Sequence, residues 1–319
     1  MNTSTQPDGK WMSIAEVERE TGLPRATVRM WERRYGFPAP ARDERGERSY
    51  DAAQVAQLRL MQRLVQQGHR PAKLVAAGAQ GIRELAAPAP AARSRAASPQ
   101  AAALLRVVKQ HDVDQLKLQL LACLRRVGLE QFVAAQLPAF NALIGDAWSS
   151  GELQVHEEHL YSHVVYDVVR EAIAAVAQPV RDEAPLVLLT TVPQEYHGLG
   201  LLMAHAMFAL QGCQVVSLGV RLPLDQIAAA AQAYKSDLVG LSFTGALGTA
   251  HVLRSLEELR GMLPPQVRLW AGGSNPALHK RTIAGVRSIK DVLAIPAMLA
   301  EDFALPPVAA ARAARKLAA

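Results

Sequence analysis

Four short apolar runs in the last third of the chain constrain the fold most. APLVLLTT (184–191), CQVVSLG (213–219), DLVGLSFT (237–244) and VRLWAGG (267–273) are each followed by a helix-like stretch. Strands covered by helices on both faces read as continuous apolar runs, and strand–helix alternation argues a parallel, doubly wound sheet. The full 319 residues exceed one ordinary domain and suffice for two or three. Half the residues are hydrophobic and a fifth charged, which excludes a wholly disordered chain. Cys123 and Cys213, the two cysteines, stand far apart and make neither a disulfide framework nor a zinc-ligand pair, as expected of a cytoplasmic protein. The N-terminus lacks an apolar signal core and no run reaches about 18 apolar residues, so neither a signal peptide nor a membrane span is expected.

Composition divides the rest. The first domain, 1–85, is rich in arginine and reads as short helices over 10–85, and 86–100 (AAPAPAARSRAASPQ) reads as a linker, semi-rigid where its prolines fall. Residues 101–182 carry few Gly or Pro and show helical periodicity, with Leu116, Leu120, Cys123, Leu124 and Val127 on one face; a bundle of four helices is expected. The sheet domain spans 183–304, and 305–319 form a basic, Ala-rich tail. The expected class is thus multidomain, α plus α/β.

In the first part, Ser13 and Glu16 suit a capping box for the helix IAEVERETG, which Gly22 ends. Pro24 opens the next helix, RATVRMWERR. Its Val28 and Trp31 point to a core, while Arg25, Arg29 and Arg33 line one rim at one-turn spacing. RDERGERSY (42–50) reads as a small β-wing turning at Gly46, with Arg48 and Tyr50 on the same side. Residues 1–80 hold thirteen Lys/Arg against nine Asp/Glu, so most of the formal net charge of +6 lies here. An arginine-rich helix is often only a solvated surface, but the order of elements says more. The segment resembles the winged helix-turn-helix of MerR-family transcription regulators, most specifically in TVRMWERRYGFP and GERSY. The resemblance implies binding to double-stranded operator DNA, with Thr27, Arg29 and Arg33 facing it from the recognition helix and Arg48 and Tyr50 from the wing. It also implies a homo-oligomer, paired through a helix near 52–67. The cysteines of metal-sensing members are missing, so thiolate metal sensing is not expected.

In the sheet domain, EYHGLG places Glu195, His197 and Gly200 after the first expected strand, where doubly wound folds bind ligands. A lone histidine there is usually ordinary loop chemistry. Here 41 residues separate Gly200 from Ser242-Phe243-Thr244, and 27 more lead from Thr244 to Gly272-Gly273. All three features close expected strands and meet at one sheet edge. The set resembles the cobalamin-binding domain of methionine synthase, the cobalamin mutases and related sensors. That resemblance implies His197 as lower axial ligand of cobalt, oriented by Glu195 where the family has Asp. It implies that Gly200, Ser242, Thr244, Gly272 and Gly273 accommodate the corrinoid and its nucleotide tail, the glycines by allowing close approach.

In the helical part, WSSGELQVHEEH separates Trp148 from Glu158-His159 by nine residues. Alone these would be one core and two surface residues. Between a MerR-like head and a corrinoid-like tail they resemble the light-sensing, cobalamin-dependent repressors of the CarH/LitR type, over about residues 10–300. The resemblance implies that Trp148, Glu158 and His159 cover the upper face of adenosylcobalamin. It further implies a repressor whose oligomer, a dimer or a dark tetramer, releases DNA when light breaks the cobalt–carbon bond. Ser149 departs from the pattern, which has histidine there as the upper cobalt ligand after light; a hydroxyl replaces it poorly, and His156, His159 and His163 are the neighbouring candidates. Ser149 and Glu195 keep open a light-independent sensor of cobalamin or of another small ligand. A corrinoid enzyme or methyl carrier is least expected, because the N-terminal residues are too few for a catalytic domain. No catalytic residue is expected.

Overall fold

The computed structural model describes residues 11–66, 69–86, 99–176, 181–245 and 247–308. The expected linker and tail lie almost wholly outside the described residues. Two compact units emerge, one holding Met1–His111 with Asn141–His159, the other Asp112–Phe140 with Leu160–Ala319. The helical stretch expected as its own domain is therefore shared between them.

The first unit begins with β1 (Met12–Ser13) and α1 (Ile14–Thr21). Ser13 and Glu16 form the complete capping box, and Gly22 ends α1 in the left-handed conformation, φ 68°. α2 (Arg25–Tyr35) starts after Pro24. β2 (Ala41–Arg42) and β3 (Arg48–Tyr50) make the wing, with β3 central in the order β1-β3-β2. α3 (Ala52–Gln66) and α4 (Pro71–Ala86), broken at Gly78, complete the head. Val17, Val28, Trp31, Leu58, Met61 and Leu74 are buried in one core. They share it because α1, α2, α3 and α4 each turn one apolar stripe inward.

Four helices follow: α5 (Pro99–Lys109), α6 (Val113–Gln131), α7 (Leu137–Ser149) and α8 (Val155–Val176). A π-turn at Phe132–Gln136 joins α6 to α7. Leu116, Leu120 and Cys123 are buried as their spacing implies.

In the second unit, β4 (Leu186–Thr190), β5 (Gln214–Ser217), β6 (Leu238–Ser242), β7 (Arg268–Gly272) and β8 (Val286–Ile289) form one parallel sheet ordered β5-β4-β6-β7-β8. Four strands match the apolar runs. β8 is additional; it is short, lies at the edge and carries Arg287, so no apolar run announces it. The intervening helices are α9 (Leu199–Leu210), α10 (Leu224–Ala233), α11 (Thr249–Met262), α12 (Ala277–Lys280) and α13 (Ile295–Phe303). Leu188, Val239, Leu241, Leu269 and Ala271 sit in a core with Ile227, Val252, Leu256 and Leu259 from α10 and α11. From β4 the chain runs outward to β5, then crosses to β6. Strand order thus reverses between β4 and β6, and a doubly wound fold opens its ligand crevice there.

Candidate cofactor site and DNA-binding head

Three loops leave the C-terminal ends of β4, β6 and β7, which are neighbours in the sheet. Glu195, on the first loop, is fully buried. Its Oε1 lies 2.5 Å from His197 Nδ1 and accepts the His197 N–H at 3.1 Å. Its Oε2 accepts the backbone N–H of Thr244 at 2.7 Å, and the Thr244 hydroxyl donates to the same carboxylate, 2.9 Å from Oε2. One carboxylate therefore joins the loops on either side of the strand-order reversal. Burial pushes its pKa up, but the hydrogen bonds from His197 and Thr244 outweigh burial and hold it below the ordinary value. An ionised carboxylate can only accept, so Nδ1 meets it as a donor, and in a neutral imidazole with its proton there Nε2 would carry the lone pair. That is how a metal-binding histidine is prepared. The side chain of His197 is 41% exposed.

The glycines are set by close approach. A Cβ on Gly200 would lie 2.5 Å from the Ser242 Oγ. At Gly273, φ is 114° and a Cβ would meet the Phe243 carbonyl oxygen at 2.1 Å. Gly272 pairs with Ser242 in the sheet, and a Cβ there would press Ile289 at 3.3 Å. The structure thus gathers Glu195, His197, Gly200, Ser242, Thr244, Gly272 and Gly273 at one end of the sheet.

Other residues there carry no motif. The Thr191 hydroxyl donates to the Glu195 carbonyl at 2.7 Å and accepts the Arg221 N–H at 2.8 Å. Asn275, fully buried and followed by Pro276, donates from its amide to the carbonyls of Thr244 and Leu247 at 2.7 and 2.9 Å, tying the loop after β6 to that after β7. A polar pair closing an apolar strand, Thr190-Thr191, was the available signal for the first; the second had none.

Trp148, Glu158 and His159 belong to the first unit, on α7 and α8. Trp148 and Glu158 are half-buried and His159 is exposed, its Nδ1 3.7 Å from Glu158 Oε2. Ser149 is buried; its hydroxyl donates to the Asp146 carbonyl at 3.0 Å and accepts from Arg63 at 3.1 Å. Arg63 also pairs with the Asp146 carboxylate. This link from α3 to α7 carries no sequence signal, because the partners stand far apart in the chain.

On the head, Arg29 and Arg33 are exposed on α2 and Thr27 is half-buried beside them. Arg25 is held by Glu18 at 2.6 Å. The wing requires a correction. Arg48 and Tyr50 share one side of β3, on which Tyr50 turns into the head core while Arg48 stays part-exposed beside Glu32. Tyr50 is fully buried in the head core, so the expected DNA-facing role fails for it. β1 pairs Met12 with Tyr50 and makes β3 the central strand, and the face that carries Tyr50 packs in the same core as Val17, Val28 and Trp31 of α1 and α2. Arg48, half-buried, donates from Nε to Glu32 of α2 at 2.9 Å.

Comparison with known proteins agrees with this division. Residues 12–76 match the MerR HTH family regulatory protein, and residues 185–300 match the B12 binding domain. The pair defines a DNA-binding regulator with a cobalamin-binding domain. The HTH-type transcriptional repressor CarH of Myxococcus xanthus is 31% identical over 268 residues, covering 79% of this chain and 85% of the relative. CarA of the same organism is 25% identical over 285 residues, 85% and 90% of the two chains. The Methanosarcina barkeri monomethylamine corrinoid protein shares the fold, with TM-score 0.51 and 15% identity over 62% of this chain and 95% of that one. The chain belongs to the CarH-type MerR regulators with a C-terminal cobalamin-binding domain. It is a regulator and not an enzyme. No helix among the described residues is long and apolar enough to cross a membrane.

Proposed function

We propose that this chain is a transcriptional repressor whose hold on operator DNA depends on adenosylcobalamin at His197 and is released by light. The observation that carries the reading is the Glu195 carboxylate, which meets both His197 Nδ1 and the Thr244 loop and so points Nε2 of the ring to the ligand role. The residues fit a corrinoid. The longer Glu195 still reaches the ring, so Glu for Asp does not break the hydrogen-bond path. Nε2 of His197 would ligate cobalt, and Gly200, Ser242, Gly272 and Gly273 would leave the backbone bare for the nucleotide tail. Trp148, Glu158 and His159 would cover the upper face. When bound, adenosylcobalamin supplies a cobalt–carbon bond that light can break.

The head would bind DNA through Thr27, Arg29 and Arg33, with Arg48 at the wing, as a dimer or tetramer. Several heads on one operator would raise affinity well above that of one head. The assembly responds only if the cofactor binds one oligomeric state better than another.

One observation favours a second reading, a light-independent cobalamin sensor. Ser149 is buried and its hydroxyl is committed to Arg63 and Asp146, so it does not replace a histidine ligand. Full-length protein, loaded with adenosylcobalamin in darkness and then exposed to green light, separates the two by absorption spectrum, elution volume and operator binding. A histidine-ligated spectrum that changes irreversibly as the assembly shrinks and DNA is released supports the first. Photolysis with assembly and DNA binding intact supports the second. Equal cobalamin retention by wild type and His197→Ala refutes the assigned ligand.

A further inference from the structure

A second cluster of ligating side chains lies in the first unit and uses none of the sheet loops. α5 ends at Lys109, and His111 follows with φ 58°, a conformation uncommon for residues with a Cβ though histidine is among the more tolerant. Asp112 then caps α6. His156 and Glu157 stand in the first turn of α8. Glu157 is 6% exposed; its Oε2 accepts the Gln154 N–H at 2.6 Å, and its Oε1 lies 3.1 Å from His111 Nε2. The imidazoles of His111 and His156 stack with centroids 5.5 Å apart and planes inclined by 25°. One ligand atom from each of the three lies within 4.8 Å of the others.

We propose that His111, His156 and Glu157 bind a divalent transition ion of the zinc class, separately from the cobalt of the corrinoid. Bonds of about 2.0–2.1 Å in a tetrahedral zinc site set neighbouring ligand atoms about 3.3 Å apart. His111 and Glu157 already stand at nearly that separation, and the two histidines are exposed, so small ring movements complete the set. Two imidazoles and one carboxylate suit zinc, nickel or copper; calcium and magnesium prefer all-oxygen shells. Three protein ligands leave the remaining position to water. The ion would fasten the turn after α5 to the first turn of α8, whose next residues are Glu158 and His159. The metal thus becomes a second input to the segment proposed to cover the corrinoid.

Untagged, chelator-treated full-length protein tests this by calorimetric titration with zinc chloride, cobalamin-free and cobalamin-loaded. One equivalent per chain is expected in both forms. Affinity should fall by about 30-fold or more in His111→Asn and in His156→Gln, since even outer-shell partners of a metal ligand are worth about 10–100-fold and each of these removes a ligand. Asparagine tolerates the left-handed backbone at 111, and circular dichroism confirms that each variant is folded. His163→Ala, on an exposed histidine of the same helix, should bind as wild type does. A dissociation constant weaker than about 1 mM, or equal affinity in wild type and both ligand variants, overturns the proposal. Zinc binding that disappears on loading with cobalamin overturns the separateness of the two sites.

Discussion

The loops of the parallel sheet and the wing of the head each set a basic side chain against a carboxylate, with opposite consequences. Glu195 takes one nitrogen of His197, Nδ1, and leaves Nε2 as the nitrogen that would serve the proposed ligand role. Glu32 takes Arg48 and offsets part of a charge that DNA phosphates would otherwise attract. An imidazole has two distinct nitrogens, so a buried partner on one specifies the other. A guanidinium shares one delocalised charge, so any partner dilutes it everywhere. Burial sharpens the contrast. The Glu195 carboxylate is fully buried although its partner His197 is 41% exposed, whereas both members of the Arg48–Glu32 pair are about a quarter exposed, and pairs near solvent contribute about 0–1 kcal/mol.

The largest test of the difference is steric. Gly273→Ala combines a positive φ with a Cβ 2.1 Å from a carbonyl oxygen, whereas Gly46 of the wing, φ 77°, has nothing within 4 Å. Urea unfolding should show a loss of about 3 kcal/mol or more for Gly273→Ala and only about 1–2 kcal/mol for Gly46→Ala. Equal losses would mean that the sheet loops are no more tightly set than the wing.

The next concerns the carboxylate. Glu195→Gln keeps the length but loses the charge that orients His197. Cobalamin affinity, read by spectroscopic titration in the dark, should fall about 10–100-fold. An unchanged affinity would make the pair incidental to binding.

Smaller effects are expected on DNA. Arg29→Ala and Arg33→Ala should each lower the salt dependence of operator binding by about one unit of the log–log slope. Arg48→Ala should lower it less, because Glu32 already answers part of its charge. Equal slopes for all three would erase the distinction drawn between wing and sheet. Smallest of all, Tyr50→Phe should leave operator affinity unchanged and stability within about 1 kcal/mol of wild type, since the buried hydroxyl has no partner among the described residues.

What could be read from sequence followed the strength of the local signal. Apolar runs located β4, β5, β6 and β7 because parallel strands are buried on both faces. With them came the loop residues His197, Ser242 and Gly272, whose place follows from ending such strands. The Ser13 capping box and the inward Val28 and Trp31 were equally legible, being local and periodic. β8 was not, since four residues including Arg287 make no apolar run. Tyr50 reads as sharing a side with Arg48, yet that it turns into the core depends on α1 and α2, whose Val17, Val28 and Trp31 are distant in sequence from the wing. Asn275 and the Arg63–Asp146–Ser149 link were illegible for the same reason. Their meaning lies wholly in partners distant in sequence.

Asn275 also bears on how the site ages. Asparagine deamidates when the next residue's backbone nitrogen attacks the side-chain amide and closes a five-membered imide. Here the next residue is Pro276, whose nitrogen carries no hydrogen and is bound within its ring. The amide that fastens the loops after β6 and β7 is thus shielded from the spontaneous reaction that would exchange its donor nitrogen for an oxygen. A protein stored for long periods should lose other asparagines before it loses this tie.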